Sequence, residues 1–299
     1  MSIYRGRFAP SPTGPLHQGS LFAALISYLE ARSNNGSWLL RIEDVDAQRE
    51  QAGARQAIIN TLIAHGFLWD EPPSLQSEHA QNYEEVLKRL SNQGHTYLCP
   101  CSRKQLTSSN GQHLNSCHIH ANVPSNSSQI NNLHYAIKFK LSNSQFNWDD
   151  DILGPMQINH IEDFVLKRKE GFYAYQLAVV CDDLSQGITH VVRGSDLLDS
   201  TPMQLALYQA LNKQPPAFGH LPILLNAEEQ KLSKQTYAPA INNNTPVENL
   251  MSLFDLLKLP IKQKPSCASE ALTLALEVWD RDYIPKIKSL NHHTTTKNN

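Results

Sequence analysis

Apolar residues change their spacing several times along the chain, and each change marks an element. Residues 3–8 form a short strand-like run, residues 21–31 carry Leu21, Leu25, Tyr28 and Leu29 at helical spacing, and residues 38–42 form a second strand-like run. Strand, helix and strand in that order imply a parallel pair and open an α/β fold. Helical spacing returns at 54–65 and 80–92. The stretch 102–132 breaks the pattern, because Ser, Asn, Gln and His replace the apolar anchors, as expected of an insertion. Strand signals resume at 135–141, and buried α/β character returns at 173–181 and 188–192. The last run leads through Arg193-Gly194-Ser195-Asp196 toward a helix, with Ser200 and Thr201 as cap candidates and Pro202 just inside. From Asn226 the pattern is loop, then helical segments at 247–258 and 269–280, then a tail at 291–299 expected to be disordered. No internal repeat is present.

A length of 299 residues suggests about two domains, or one large catalytic unit with insertions. Charged residues make up 18% and hydrophobic residues 40%, so charge-driven disorder is excluded for most of the chain. No apolar run reaches the ~18 residues of a membrane span, and residues 1–7 lead into a polar, proline-rich stretch rather than a signal-peptide core. A cytoplasmic location with no membrane partner is expected. Lys and Arg total 26 against 28 Asp and Glu, a formal charge of −2, so no global basic field marks a general nucleic-acid binder. DNA is not an expected partner, and any polyanion must meet local patches. The five cysteines are odd in number, with Cys99, Cys101 and Cys117 clustered and Cys181 and Cys267 apart, which is not a disulfide scaffold.

Candidate chemistry begins at Arg7-Phe8-Ala9-Pro10-Ser11-Pro12-Thr13-Gly14-Pro15-Leu16-His17-Gln18-Gly19-Ser20, between a strand and a helix. Such a helix start can receive phosphates through its unpaired N–H groups. Gly19 permits close approach of a ligand, Ser20 can cap the helix, and His17 can stabilise charge on an α-phosphate in its transition state. A Walker A loop is ruled out, because Ser20 stands where its lysine belongs and Leu21 where its Ser/Thr belongs. In isolation the tetrapeptide around His17 also suits an ordinary capped helix. The full segment resembles the N-terminal signature of class I glutamyl- and glutaminyl-type aminoacyl-tRNA synthetases. That resemblance implies a ligase with a Rossmann-like catalytic domain, a zinc-binding insertion and a small C-terminal helical subdomain. The corresponding division is 1–98 and 166–225 for the two halves of the catalytic domain, 99–165 for the insertion and 226–299 for the remainder.

Lys231-Leu232-Ser233-Lys234-Gln235 resembles the mobile signature loop of the same class, with Lys234 at the catalytic lysine and Gln235 departing from the usual serine. Two ammonium groups on one turn can neutralise a leaving pyrophosphate. The resemblance therefore implies His17, Ser20, Lys231 and Lys234 as catalytic residues and His17, Gly19 and Lys234 as ATP contacts. Glu43, after the strand at 38–42, matches the family residue that holds a substrate α-ammonium. Arg7 and Arg193 end two separate strands and can grip a carboxylate bidentately, which suits glutamate, although either could be a structural ion-pair partner. By resemblance Tyr175 and Arg193 contact the amino acid, with Ala9 and Ser11 lining the site. Glutamyl-tRNA synthetases usually read Tyr-His-Leu-Ala-Asn where this chain reads Tyr175-Gln176-Leu177-Ala178-Val179, which implies one lost polar contact and weaker glutamate binding.

Cys99, Cys101, His113 and Cys117 offer three thiolates and an imidazole, a soft set suited to one structural tetrahedral Zn2+. His118 and His120 are rival ligands, and three reduced thiols in a polar loop is the bland reading. Only 65 residues follow Lys234 (299 − 234 = 65), too few for a large anticodon-reading region. With the Cys-x-Cys insertion, this resembles the glutamyl-queuosine tRNA(Asp) synthetase family. The resemblance implies activation of L-glutamate by ATP and Mg2+ without tRNA, then esterification to queuosine in the anticodon loop of tRNA(Asp). Alternatives are a truncated glutamyl-tRNA synthetase charging a tRNA 3′ end and a non-catalytic RNA- or nucleotide-binding paralogue. Lys167-Arg168-Lys169 and the lysines at 258–264 are candidate RNA phosphate contacts.

Overall fold

The computed structural model describes residues 3–46, 48–101, 135–226 and 239–291. Strand β1 (Arg5–Phe8), helix α1 (Gln18–Ser33) and strand β2 (Ser37–Ile42) form the expected opening, with β1 and β2 parallel and Arg7 opposite Leu39. After α2 (Ala54–Ala64), the short β3 (Ser74–Leu75) adds in parallel to β2. Helix α3 (Ala80–Asn92) leads to a three-stranded antiparallel sheet of β4 (Thr96–Cys99), β5 (Ala136–Phe139) and β8 (Phe164–Lys167). Between β5 and β8 lies the hairpin of β6 (Phe146–Asp150) and β7 (Gly154–Ile158). Then come α4 (Tyr175–Ser185), β9 (His190–Gly194), α5 (Thr201–Ala210) and β10 (Ala217–Leu221), with β10 parallel to both β9 and β6.

Strand β1 also lies beside β9, where the Thr189 N–H donates to the Arg5 carbonyl at 3.0 Å. The central strands therefore run β3, β2, β1, β9, β10: the chain winds outward to one edge and then restarts on the other side of β1. Open α/β sheets bind ligands at such a switch point, beyond the carboxyl ends of the strands.

Side chains alternate across the sheet. Phe8, Trp38, Leu40 and Ile42 face one core, which includes Leu21, Leu25 and Leu29 of α1. Two C-terminal helices, α6 (Pro246–Leu257) and α7 (Ala268–Glu277), insert Leu250, Leu253, Phe254 and Leu272 into that same core rather than building one of their own among the described residues. Strand β12 (Ser289–Asn291) pairs in parallel with β11 (Ile223–Leu225), which follows β10. The second core, under α3, α4 and α5, gathers Tyr83, Leu87, Leu177, Val180, Cys181 and Leu207.

Facing α4, the sheet presents Arg7 and Arg41, both buried. Asp183 of α4 takes the Arg41 Nη2 at 2.7 Å and the Arg7 Nε at 3.2 Å, while the Arg41 Nη1 donates to Gln186 Oε1 at 2.6 Å. Burial pushes the Asp183 carboxyl up, but the two guanidinium groups prevail and hold it below the usual carboxylate range. The neighbouring Asp182 accepts from Gln76, His79 and Tyr83 at 2.7–2.8 Å. These ionic contacts fix how α4 docks.

Two expected caps differ from what is observed. Ser20 is not the cap of α1, because the ring of His17 reaches back and accepts from the Ser20 N–H. Thr201 and Pro202 do open α5, but Ser200 has helical backbone after a short 3-10 turn (Ser195–Ser200), and its hydroxyl accepts from Gln176 instead. Both departures place these side chains toward neighbours in the site below. The insertion at 102–132 and residues 292–299 of the tail lie outside the described residues.

Replacing Arg41 by alanine leaves Asp183 with only part of its compensation, so urea unfolding should show a loss of about 3–5 kcal/mol. A change below about 1 kcal/mol would mean that the pair does not hold α4 to the sheet.

Candidate active site

A cavity of about 430 Å3 opens at the switch point, between the carboxyl ends of β1 and β9 and the start of α1. Arg7, Ala9, Ser11, His17, Gly19, Ser20, Glu43, Tyr175 and Arg193 all line it, so residues separated by up to 186 positions (193 − 7 = 186) meet in one space. His17 has extended backbone and precedes the first turn of α1; its Nδ1 accepts from the Ser20 N–H at 3.3 Å, and its Nε2 lies 3.0 Å from Ser20 Oγ. One imidazole thus orders the helix start while its edge stays on the cavity.

Glu43 follows β2, and its N–H donates to the Pro10 carbonyl at 3.0 Å, which tethers it to the β1–α1 loop. Its side chain is only 8% exposed and Oε1 has no hydrogen-bond partner. The nearest cation is Arg41, at 3.8 Å. Desolvation outweighs the pull of Arg41 and Arg7 and pushes the Glu43 carboxyl up to about 7.

Arg193 is the counterpart. It is 5% exposed, and its contacts are neutral: Nε to His220 Nε2 at 3.1 Å, Nη1 to Gln204 Oε1 at 2.8 Å, Nη2 to Thr201 Oγ1 at 2.8 Å and more distantly to the Leu197 carbonyl. Among the described residues no carboxylate pairs with it. Burial accordingly lowers its pKa, with nearby Tyr175 opposing. Of the two arginines singled out in the sequence, Arg7 is the one with a protein anion, Asp183, and Arg193 is the one without. The cavity therefore holds a carboxylate short of a donor and a guanidinium short of an anion.

A family model described as tRNA synthetases class I (E and Q), catalytic domain, matches residues 4–257. The chain belongs to that family. A relative from Neisseria gonorrhoeae named glutamyl-Q tRNA(Asp) synthetase is 44% identical over 289 residues, covering 95% of this chain and 98% of its own. One of the same name from Colwellia psychrerythraea is 43% identical, covering 96% and 94%. Among solved structures, a glutamate tRNA ligase from Elizabethkingia meningosepticum in complex with its amino acid superposes with a TM-score of 0.81 at 26% identity, covering 97% of this chain and 67% of that one. The methionyl-tRNA synthetase of Mycobacterium tuberculosis shares the fold at 11% identity, with a TM-score of 0.57, covering 85% of this chain and 64% of that one.

In this synthetase the loop bearing Lys231 and Lys234 lies outside the described residues, 227–238. Both of its flanks are at the cavity. Pro222, Ile223 and Leu224 line the wall before it, and after it the Ile241 N–H donates at 3.0 Å to the carbonyl of Leu16, another lining residue. Val179 is fully buried in the second core and Gln176 bonds Ser200 and Gln204, so neither lines the cavity. Thr13, Leu16 and Asp196 also line the cavity; they stand in the segments that the sequence marks, at 7–20 and 193–196, but were not singled out there as site residues. Nor were Thr201, Gln204 and His220, the supports of Arg193.

The remaining candidates lie apart. Cys99 and Cys101 are buried at the end of β4, whereas His113, Cys117, His118 and His120 fall outside the described residues. Among the described residues no three metal-ligating side chains cluster. In the basic run Lys167 bonds Glu84 at 2.8 Å, Arg168 bonds Asp46 at 3.0 Å and Lys169 bonds the Pro100 carbonyl, so each is engaged within the molecule. No helix of the described residues is long and apolar enough to cross a membrane.

The raised pKa of Glu43 has a thermodynamic sign. Between its ordinary value of 4.5 and about 7, the folded chain keeps a proton that the unfolded chain has released, so stability falls as pH rises through that window. Glu43→Gln removes this slope, and its stability advantage over the parent should grow from about pH 5 to 7 and then level off in urea titrations. A difference independent of pH would contradict the raised value.

Proposed function

We propose that this chain uses ATP to activate L-glutamate as glutamyl-adenylate without tRNA, and transfers the glutamate to queuosine in the anticodon loop of tRNA(Asp). The observation that carries the amino-acid half is the opposed pair of unmatched charges in the cavity. A substrate α-ammonium against Glu43 Oε1 and a side-chain carboxylate against Arg193 and Arg7 would satisfy both, with Ala9, Ser11 and Tyr175 enclosing the chain between them. Glutamate has that charge pattern, and the acceptor follows the printed name of relatives above 40% identity.

In the first step an α-carboxylate oxygen of glutamate bonds to the α-phosphorus of ATP in line, and the bond to the bridging oxygen breaks to release pyrophosphate. His17 would stabilise charge on the α-phosphate, and Gly19 and Ser20 would offer the first turn of α1 to the phosphates; that all three line the cavity supports this reading. Lys231 and Lys234 would neutralise the leaving group. ATP enters as its Mg2+ complex, in which the cation offsets phosphate charge. In the second step a hydroxyl of queuosine bonds to the activated carbonyl carbon, its proton is released and AMP departs. Cys99 and Cys101, two buried thiols at the end of β4, suit one half of a structural Zn2+ site that His113 and Cys117 would complete, tying the insertion to the sheet. The superposition on a glutamate tRNA ligase keeps one second reading in play, the charging of a tRNA 3′ end. A chain that only binds RNA or nucleotide would show no chemistry at all.

Glutamate-dependent exchange of pyrophosphate into ATP without tRNA is the direct test, and its absence at saturating glutamate would refute activation. Lys234→Ala should slow exchange by roughly three orders of magnitude while leaving the melting temperature in place. Labelled glutamate should enter queuosine-containing tRNA(Asp) and not the queuosine-free form; equal labelling would transfer the case to the 3′ end. Elemental analysis should find one zinc per chain, lost in Cys101→Ser.

A further inference from the structure

Behind Arg193, away from the cavity, lies a buried pair that neither the family signatures nor the cavity lining includes. Asp150 ends β6 and His220 sits on β10, and they are 4% and 0% exposed. Asp150 Oδ1 accepts three backbone N–H groups, from Ile152 at 3.1 Å, Leu153 at 3.0 Å and His220 at 3.0 Å. Its other oxygen, Oδ2, faces His220 Nδ1 at 2.5 Å. A carboxylate there can only accept, so the imidazole carries its proton on Nδ1 and a lone pair on Nε2. Burial lowers the His220 pKa, against Asp150 and with Arg193, which favours the neutral ring.

That lone pair receives the Arg193 Nε–H at 3.1 Å and lies 3.1 Å from Thr201 Oγ1, which in turn accepts from Arg193 Nη2. The opposite tautomer would set one N–H against another. Gln204 takes one Nη1 hydrogen and is itself steadied by Gln176 at 3.0 Å. Of the five guanidinium N–H groups, one on Nη1 has no partner among the described residues, and the Nη2 contact to Leu197 is long at 3.5 Å. These terminal N–H groups are what the protein leaves for an incoming carboxylate.

We infer that Asp150 and His220 are positioning residues for amino-acid selection: Asp150 fixes the His220 tautomer, and His220 spends the Nε–H of Arg193 so that the terminal N–H groups are presented to a substrate carboxylate. The inference rests on the cavity being the glutamate site. It separates amino-acid binding from nucleotide binding, because the pair bears on Arg193 and Thr201 and neither of its residues lines the cavity.

Asp150→Asn tests it through geometry. The three backbone donors hold an oxygen at the Oδ1 place, so the new amide NH2 faces Nδ1 and drives the ring proton to Nε2, against Arg193. In glutamate-dependent pyrophosphate exchange the KM for glutamate should rise roughly 10- to 100-fold, while the KM for ATP stays within about twofold. Equal shifts in both constants, or no shift for glutamate, would overturn the inference. Should this variant fail to melt cooperatively, His220→Gln and His220→Ala make the same comparison. The glutamine oxygen can accept from Arg193, so its glutamate KM should stay about tenfold below that of the alanine variant, and equal values would overturn the role. The 15N shifts of His220 in substrate-free parent protein should show a protonated Nδ1 and a bare Nε2, and the reverse refutes the relay. That last measurement needs no activity, so loss of the tautomer and loss of glutamate activation can be told apart.

Discussion

The molecule depends on how positive charge is distributed on one face of its central sheet. Arg7 and Arg41 project from β1 and β2 into a space closed by α4, where water cannot compensate them. Asp183 supplies the compensation and in doing so fixes the seat of α4. Because α4 begins at Tyr175, the same docking sets one wall of the cavity. Buried ion pairs are poor sources of net stability compared with apolar packing, but they penalise wrong arrangements heavily. A shift of α4 by one turn would leave two cations uncompensated.

Against that background Arg193 is the exception. The fold neutralises the cations that it needs for its own architecture and surrounds this one with a histidine, a glutamine and a threonine. Glu43 is the reciprocal case, a side chain held from water with one oxygen unsatisfied. Each is costly alone, and the proposed amino-acid substrate, with its complementary charge pattern, would relieve both at once. Strain of this kind in the substrate-free state gives selectivity, because a ligand lacking the second charge leaves half of the cost in place.

The elements of the fold were largely legible from periodicity. Residues 80–92 were read as a helix with the bounds that α3 has, and the β1–α1–β2 opening, α2 and the two C-terminal helices came out within a few residues. Residue type misled at helix starts: serine is the usual cap, yet at α1 the preceding His17 carries a ring nitrogen that does the same work, and at α5 Ser200 is claimed by Gln176. Nine of the candidate site residues meet in the cavity because strand ends and a helix start are places that sequence motifs mark. Asp150 and His220 were not legible, since their pairing spans 70 positions and exists only because β6 and β10 are neighbours. Periodicity likewise cannot tell that Leu253 and Leu272 fill the core begun by Phe8 and Leu25.

The pairing of β12 with β11 bears on how the protein is made. The wall carrying Ile223 and Leu224 is braced by residues 289–291, and the first core is sealed by helices that begin only at Pro246. A nascent chain can assemble β1, α1 and β2 early, but those surfaces wait for partners more than two hundred residues downstream. The cavity wall is therefore braced only once residue 291 has been made, and until then the emerging polypeptide carries an exposed apolar face of the kind that chaperones recognise.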